Sequence, residues 1–384
     1  MFGNLTAAIF WLSLFALFYV YVGYPLCAAL LSKIVTRPVD KKAKFPSVTI
    51  LIAAYNEEDC IAATLENKLS LDYPAGQLEI IVVSDDSVDQ TDAIVASYAE
   101  KGVTLLRQVP RAGKTAALNF AVPQAQGEIL VFSDANSMYA LDALKRLVEN
   151  FADPEVGYVT GKMIYTDPDG TPIGDGCSAY MKYENRLREI ETDLGSIVGV
   201  DGGIDAMRRE LYTPLNPDQL PDFVQPLKVV EKGFRVVYEP RALLKEQSLK
   251  ESGDEYRMRV RVTLRALWAL KDMRQLLVGR GGILFAWQLW SHKVLRYCCF
   301  IFLLSAFFAN IQLAADAALY RVLLLLQVSG YSGAAFSPLL ARVNRDLSVL
   351  RLLYYFILLN TASLHAVIKF IQGKKQILWT PRKG

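Results

Sequence analysis

The chain has 384 residues, an apolar content of 52% and a net charge of only +3. Five cysteines without C-x-x-C spacing and two histidines, His292 and His365, argue against a zinc site and for reduced thiols. The basic residues cluster beside apolar stretches, which favours lipid headgroups over nucleic acid as the partner.

Leu5 to Leu31 carries no charge and exceeds the ~20 residues that cross a bilayer. No Lys or Arg precedes it, and it is long for a cleaved signal, so it reads as a retained anchor. Lys33, Arg37, Lys41, Lys42 and Lys44 follow at once. The positive-inside rule then puts the N-terminus outside and the next region in the cytoplasm. Residues 1–44 are expected to be a transmembrane helix with a basic flank.

From Ser47 the pattern alternates. Val48 to Ala54 reads as a buried strand, and Glu57 to Leu69 as a helix with Ile61, Leu65 and Leu69 on one face. Leu78 to Val83 is a second strand and Asp89 to Ala99 a second helix. Val103 to Val109 is a third strand, and Thr115 to Val122 lies on a helix. Ile129 to Phe132 is the fourth strand. Leu141, Leu144, Leu147, Val148 and Phe151 mark a helix before another strand at Val156 to Met163. Such alternation predicts an α/β unit with a mostly parallel sheet covered on both faces.

In open α/β sheets, ligands bind beyond the carboxyl ends of the strands. Three of these strands end in polar groups: Tyr55-Asn56-Glu57, Asp85-Asp86 and Asp134-Ala135-Asn136. A parallel sheet gathers them on one edge. No glycine-rich dinucleotide turn follows the first strand, where Ala53 to Glu58 stands. Gly113-Lys114-Thr115 fits the end of a P-loop, but the required first glycine falls on Gln108. Phosphates must therefore be met by a metal and by basic side chains. Asp134 and Asn136, at i and i+2 of an extended chain, point the same way and suit Mg²⁺ or Mn²⁺. A simple Asp/Asn turn uses the same residue types. Arg111 and Lys114 are the basic candidates.

With these residues assembled, the chain resembles a membrane-integrated family 2 glycosyltransferase of the GT-A fold. The branch it resembles contains cellulose, hyaluronan and poly-N-acetylglucosamine synthases. Val48 to Glu58 is similar to that family's first strand and nucleotide loop, which implies donor binding by Ala54, Tyr55 and Glu57. Val83 to Thr91 resembles its paired Asp motif, which implies that Asp85 and Asp86 read the uracil and ribose. Arg111 to Asn119 resembles its donor loop around Lys114, and Ser133 to Asn136 its D-x-D metal motif. Val200 to Glu210 resembles its acceptor-side segment. Leu220 to Val224 stands where the family carries its catalytic carboxylate, which implies Asp222 as the general base. A helix N-cap is the plainer reading of Asp222.

The resemblance spans roughly residues 45–300, and this chain departs from it at three points. The Q-x-x-R-W-like motif keeps Arg261 as a fork of donors for the diphosphate but has Met258 and Val262 for Gln and Trp. Pro221 replaces the acidic residue before the base, and Asn136 replaces the second Asp of the metal motif.

Residues 45–245 are expected to be the cytoplasmic GT-A domain and residues 246–297 basic and amphipathic interface helices. Residues 298–384 are expected to hold two or three spans. Cys298 to Leu313 and Leu347 to Ile371 are candidates; Ala317 to Leu340, with Gly330, Gly333 and Pro338, is the doubtful one. Four spans put the C-terminus outside, against Lys374, Lys375, Arg382 and Lys383. Arg342, Arg345 and Arg351 likewise ask for a cytoplasmic loop.

The expected function is inverting, metal-dependent transfer from a UDP-sugar to a growing β-linked polysaccharide at the plasma (inner) membrane, coupled to export. Transfer of one sugar to a lipid carrier is the rival within enzymes, favoured by the missing Trp. An inactive subunit of a partner complex is the rival of another class. Expected partners are the donor, a polysaccharide or lipid-linked acceptor, membrane lipids, and an accessory subunit or second copy.

Overall fold

The computed structural model describes residues 2–166, 172–247, 252–342 and 348–376. Arg345, Arg382 and Lys383 lie outside these residues. Helix α1 (Phe2–Phe18) continues through a π turn (Tyr19–Gly23) into α2 (Tyr24–Ser32). The apolar stretch of this helix, Asn4–Ser32, has 29 residues. At ~1.5 Å per residue it is longer than the ~30 Å hydrocarbon core needs. The surplus enters the soluble domain: Tyr24 and Ala28 are fully buried against Leu187, Ile190 and Leu194.

That domain is built on β1 (Val48–Ala54), β2 (Leu78–Asp85), β3 (Val103–Gln108), β4 (Ile129–Asp134), β5 (Met138–Tyr139), β6 (Val156–Thr166), β7 (Ile204–Arg208) and β8 (Arg235–Gln247). The eight described strands form one sheet in the order β3-β2-β1-β4-β7-β6-β8-β5. The β3-β2-β1-β4 half is parallel, as the alternating pattern predicts. Beyond β4 the sheet is mixed: β7 runs antiparallel to β4 and β6, and β8 parallel to β6. Every residue of β1 is buried, because a central strand covered on both faces leaves no side for water.

Helices α3 (Ile61–Leu69), α4 (Thr91–Ala96) and α5 (Lys114–Ala121) cover the parallel half, and α6 (Ala143–Glu149) packs on β6, β7 and β8. Two begin later than the apolar spacing suggests, for one reason. The Glu57 and Glu58 amides donate to Thr91 Oγ1 (2.8 Å) and Asp89 Oδ2 (3.1 Å), which holds the chain out of helix until Ile61. Asp89 Oδ1 accepts from the Thr91 amide at 3.0 Å and so ends the loop before α4.

Next come α7 (Pro172–Leu194), α8 (Pro221–Glu231), α9 (Ser252–Asp272), α10 (Arg274–Leu277), α11 (Ile283–Leu289), α12 (Leu295–Tyr297) and α13 (Cys299–Leu313). The chain ends in α14 (Ala318–Arg342) and α15 (Ser348–Ile371). Three described helices are long and apolar enough to cross a membrane: Asn4–Ser32, Ala318–Leu340 and Val349–Ile371. Ile283–Tyr297 and Cys299–Leu313 pass together but are bent by 55°. The doubtful segment is a continuous helix despite its breakers. A side chain at Gly333 would meet Leu350 at 2.9 Å, so the glycine lets α15 approach.

A buried polar network joins the first helix to the domain. Tyr24 Oη donates to Glu191 Oε1 at 2.5 Å. The His292 ring, on a second π turn (Trp290–Val294), lies between Glu191 (2.7 Å) and Glu184 (3.1 Å). Arg296 pairs with Glu184.

Candidate active site

Because β1, β2 and β4 are parallel and in register, Ala54 sits beside Ser84 and Ala53 beside Asp134. The three polar strand ends therefore meet on one edge. The first two are laced together: the Asn56 amide donates to Ser87 Oγ (3.1 Å) and Asn56 Oδ1 accepts from the Val88 amide (3.0 Å). Asn56 and Asp86 both take left-handed backbone, at φ 53° and 61°.

Asp85 is fully buried and accepts from Gln108 Nε2 (2.6 Å) and the amides of Ala112 (2.8 Å) and Gly113 (2.9 Å). Its visible task is to hold the donor loop. Asp86 is the more open of the pair, 3.7 Å from Arg107. The Arg111 guanidinium stacks 3.5 Å over the Tyr55 ring. Gly113, at φ +97°, turns this loop into α5, and Lys114 opens the helix.

A cavity of about 270 Å³ lies beside these tips. It brings together Glu57, Lys114, Asp134, Asn136, Asp222 and Arg261; Ala54, Tyr55, Asp85 and Asp86 stand outside its lining. Lys114 Nζ bridges Asp134 Oδ1 at 2.7 Å and Asp222 Oδ1 at 3.5 Å. Burial alone would lower the lysine's pKa, but the two carboxylates outweigh it and raise it. Burial also raises the Glu57 carboxyl.

Asp222 occupies the first turn of α8 behind Pro221, while Leu220 takes the cap position without a side-chain bond. Its carboxylate turns to Lys114, so the N-cap reading does not describe it. Burial raises its pKa, with Lys114 opposing. Gly202, at φ +88°, lies so close that a Cβ would stand 2.7 Å from Asp222 Oδ2. Beneath lies Asp205 on β7, fully buried, beside the hydroxyls of Thr160 and Tyr158 without closing a well-aligned hydrogen bond. Burial and the Asp222 charge push its carboxyl up to about 8.

Asp134 and Asn136 fit a divalent cation brought by a diphosphate. Both line the cavity, and a cation, the Lys114 ammonium, already stands on Asp134. Among the described residues no cluster of three or more His, Cys, Asp or Glu holds a metal by itself. Two oxygen donors plus phosphates are the usual Mg²⁺ arrangement.

The loop after β4 is held from behind by α3. Thr64 Oγ1 donates to Ala135 O (2.5 Å) and Lys68 Nζ to Ser137 O (2.5 Å). Asn67 donates to Tyr139 O (2.9 Å) and accepts from its amide (2.8 Å). Lys68 also lies 3.6 Å over the Tyr139 ring, and burial lowers its pKa to about 7.

The opposite wall comes from the membrane-side helices: Met258, Arg261, Val262 and Arg265 of α9, then Lys293 and Tyr297. Arg265 is one turn beyond Arg261, a spacing that could have marked it in the sequence. It donates to Gln219 O at 2.6 Å, and burial lowers it to about 10. Asp201, paired with Arg188 at 2.6 Å, falls in the Val200 to Glu210 segment expected on the acceptor side; Glu246, Lys293 and Tyr297 carry no motif and were not expected.

Comparison with known proteins agrees with this arrangement. Residues 49–213 match the family model described as "Glycosyl transferase family 2". The β-monoglucosyldiacylglycerol synthase of Nostoc sp. is 34% identical over 173 residues, 44% of this chain and 37% of that protein. The poly-β-1,6-N-acetyl-D-glucosamine synthase of Staphylococcus aureus (strain MSSA476) is 27% identical over 220 residues, 56% of this chain and 53% of that one. The chain thus matches about a third to a half of the length of these relatives. The solved mannosyltransferase PcManGT from Pyrobaculum calidifontis, in complex with GDP-Man and Mn²⁺, superimposes with a TM-score of 0.72. That likeness covers 97% of this chain and 100% of the other at 25% identity. Residues 49–213 thus match a glycosyl transferase family 2 domain, within a chain of GT-A fold whose described residues include three helices long and apolar enough to cross a membrane.

Proposed function

We propose that the protein transfers one sugar, with inversion, from a nucleoside-diphosphate sugar to a hydroxyl of a membrane lipid. The observation that carries this reading is the single cavity holding Asp134, Asn136, Lys114 and Asp222 against the α9 wall. Asp222 accepts the proton of the acceptor hydroxyl as its oxygen bonds to the anomeric carbon. The bond from that carbon to the diphosphate breaks, and the diphosphate leaves with the electron pair. Lys114 and Arg261 meet its growing charge as fixed donors. A divalent cation, Mg²⁺ or Mn²⁺, held by Asp134 and Asn136, supplies further charge on the diphosphate.

A lipid acceptor is supported by Met258 and Val262, which give the membrane-side wall an apolar stretch where the resembled motif carries Gln and Trp. The likeness to a glucosyldiacylglycerol synthase supports the same choice. Repeated transfer to a polysaccharide, with export, is the second reading, favoured by the poly-N-acetylglucosamine synthase likeness. The Asp85-Asp86 pair favours a UDP-sugar; the GDP-Man in PcManGT favours a guanine nucleotide. The domain is read as facing the cytoplasm from the inner membrane, on the strength of Lys33 to Lys44.

The test is the purified full chain in lipid nanodiscs with diacylglycerol or polyprenol lipids, a panel of UDP- and GDP-sugars, and Mn²⁺ or Mg²⁺. A lipid heavier by one hexose, β-linked by NMR, is the expected product. A ladder of masses gives the polymer reading, and no transfer from any donor gives the inactive subunit.

A further inference from the structure

We propose that α15 does not cross the membrane. It lies in the plane of the catalytic-side surface, and the chain crosses three times, through α1–α2, α13 and α14. By length and composition Val349–Ile371 reads as a span. Its contacts say otherwise. Near its start, Tyr355 Oη donates to Glu255 Oε1 (2.8 Å) and accepts from Arg259 Nη2 (2.7 Å), both on α9. Midway, Ala362 and Ala366 pack on Val260 and Leu264 of α9. At its end Phe370 meets the Trp268 ring edge-on, centroids 4.7 Å apart. Lys374 O accepts from Trp268 Nε1 (2.9 Å), and Lys375 pairs with Asp218 of the loop before α8 (2.5 Å).

Helix α9 cannot be the neighbour of a crossing helix. It carries charge from Glu255 to Asp272 and forms a wall of the cavity. Burying those charges in hydrocarbon costs at least about 2.5 kcal/mol each. A helix held against α9 from Tyr355 to Phe370 does not reach the far side of a ~30 Å core. Its outward residues Val349, Leu352, Ile368 and Ile371 are exposed and apolar, the face an in-plane helix lays into lipid.

The remaining helices give three passes. Helix α13 runs back along α1: Phe10 packs with Ala306, Ala309 and Leu313, and Thr6 Oγ1 lies 3.4 Å from Gln312. Helix α14 returns, with Tyr320 edge-on to Phe10 (5.6 Å) and Tyr331 to Phe307 (5.7 Å). The basic flank after α2, Arg342 at the end of α14, Arg351 in the first turn of α15, and Lys374 and Lys375 then all lie on the catalytic side. This path satisfies every positive-inside signal that four spans leave in conflict.

The inference rests on contacts and charge, and its test uses no sugar transfer. Full-length chains carrying alkaline phosphatase after Ala315, Asn344 or Gly384 are expressed in bacterial cells. Enzyme activity is expected only after Ala315; activity after Asn344 or Gly384 overturns the path. Separately, Leu352→Cys, Thr361→Cys and Ile368→Cys are spin-labelled in liposomes. Equal, shallow depths are expected. A label at Thr361 more than about 10 Å deeper than both others, towards the centre of a ~30 Å core, overturns the in-plane helix.

Discussion

The Lys114 ammonium stands 2.7 Å from the Asp134 carboxylate and holds the position a metal's charge would take. On the proposed metal site, lysine and metal compete for one oxygen until a diphosphate arrives to occupy both. Lys114→Met should tighten Mn²⁺ binding without nucleotide and lower turnover about 100-fold, the loss of one fixed donor to the leaving group. Manganese EPR and initial rates give the two numbers. Looser binding without nucleotide would remove the competition.

Asn136→Asp adds a charged ligand to the same site, and affinity follows ligand charge. Calorimetry with a nucleoside diphosphate should show Mn²⁺ bound at least as tightly as in the wild type. Weaker binding would take Asn136 out of the ligand set.

Asp222→Asn keeps shape and loses the base. Turnover should fall between about 100- and 10,000-fold, the usual range for a positioned base. Donor affinity, followed by nucleotide-diphosphate calorimetry, should hold within about threefold, or 0.7 kcal/mol. Undiminished turnover would move the base elsewhere.

Thr64 reaches the metal only through the Ala135 carbonyl. Thr64→Val should weaken Mn²⁺ binding about tenfold, as supporting contacts to ligand loops do. Thr64→Ser, which keeps the hydroxyl, should restore it. Leu147→Ala, fully buried in α6 and without a contact to the Ala135 carbonyl, should lower the melting temperature and leave Mn²⁺ binding alone. Equal loss of metal affinity in all three would reduce α3 to scaffold.

Asp205 carries a pH dependence whose sign follows from its folded pKa of about 8, raised by burial and by Asp222. An unfolded carboxyl titrates near 3.9. The neutral form's contribution to stability is whole below about pH 4 and is lost as pH rises towards 8. Wild-type Tm should therefore fall relative to Asp205→Asn between pH 5 and 8. In a domain of this size each kcal/mol is worth about 2–4 °C. Parallel Tm curves for the two proteins would refute the shift.

The parallel half of the sheet and its ligand edge were legible because apolar runs at β1, β2 and β4 end in polar residues at like positions. The helix starts were not, because Thr91 and Asp89 hold the first loop from 34 and 31 residues away. The antiparallel strands β6 and β7 are separated by a 23-residue helix, and no local pattern announces their pairing. The residues proposed for donor and metal binding stood out as motifs. Lys293 and Tyr297 reach the cavity only because a helix from beyond α10 folds back under it, and their own sequence reads as membrane interface. Asp85 illustrates the opposite case. It has the residue type of a nucleotide reader, but its oxygens are spent on the backbone of the donor loop.

The chain of contacts from Tyr24 through Glu191 and His292 to Glu184 makes the first helix a post on which the cavity is mounted. Its elevation over the bilayer is then a constant of the fold, set by the residues between the aqueous end of that post and Tyr24. On the proposed lipid-acceptor reading, an acceptor is gauged by how far its hydroxyl rises from the lipid surface, and a lipid with a longer or shorter stalk misses Asp222 even if its chemistry is right.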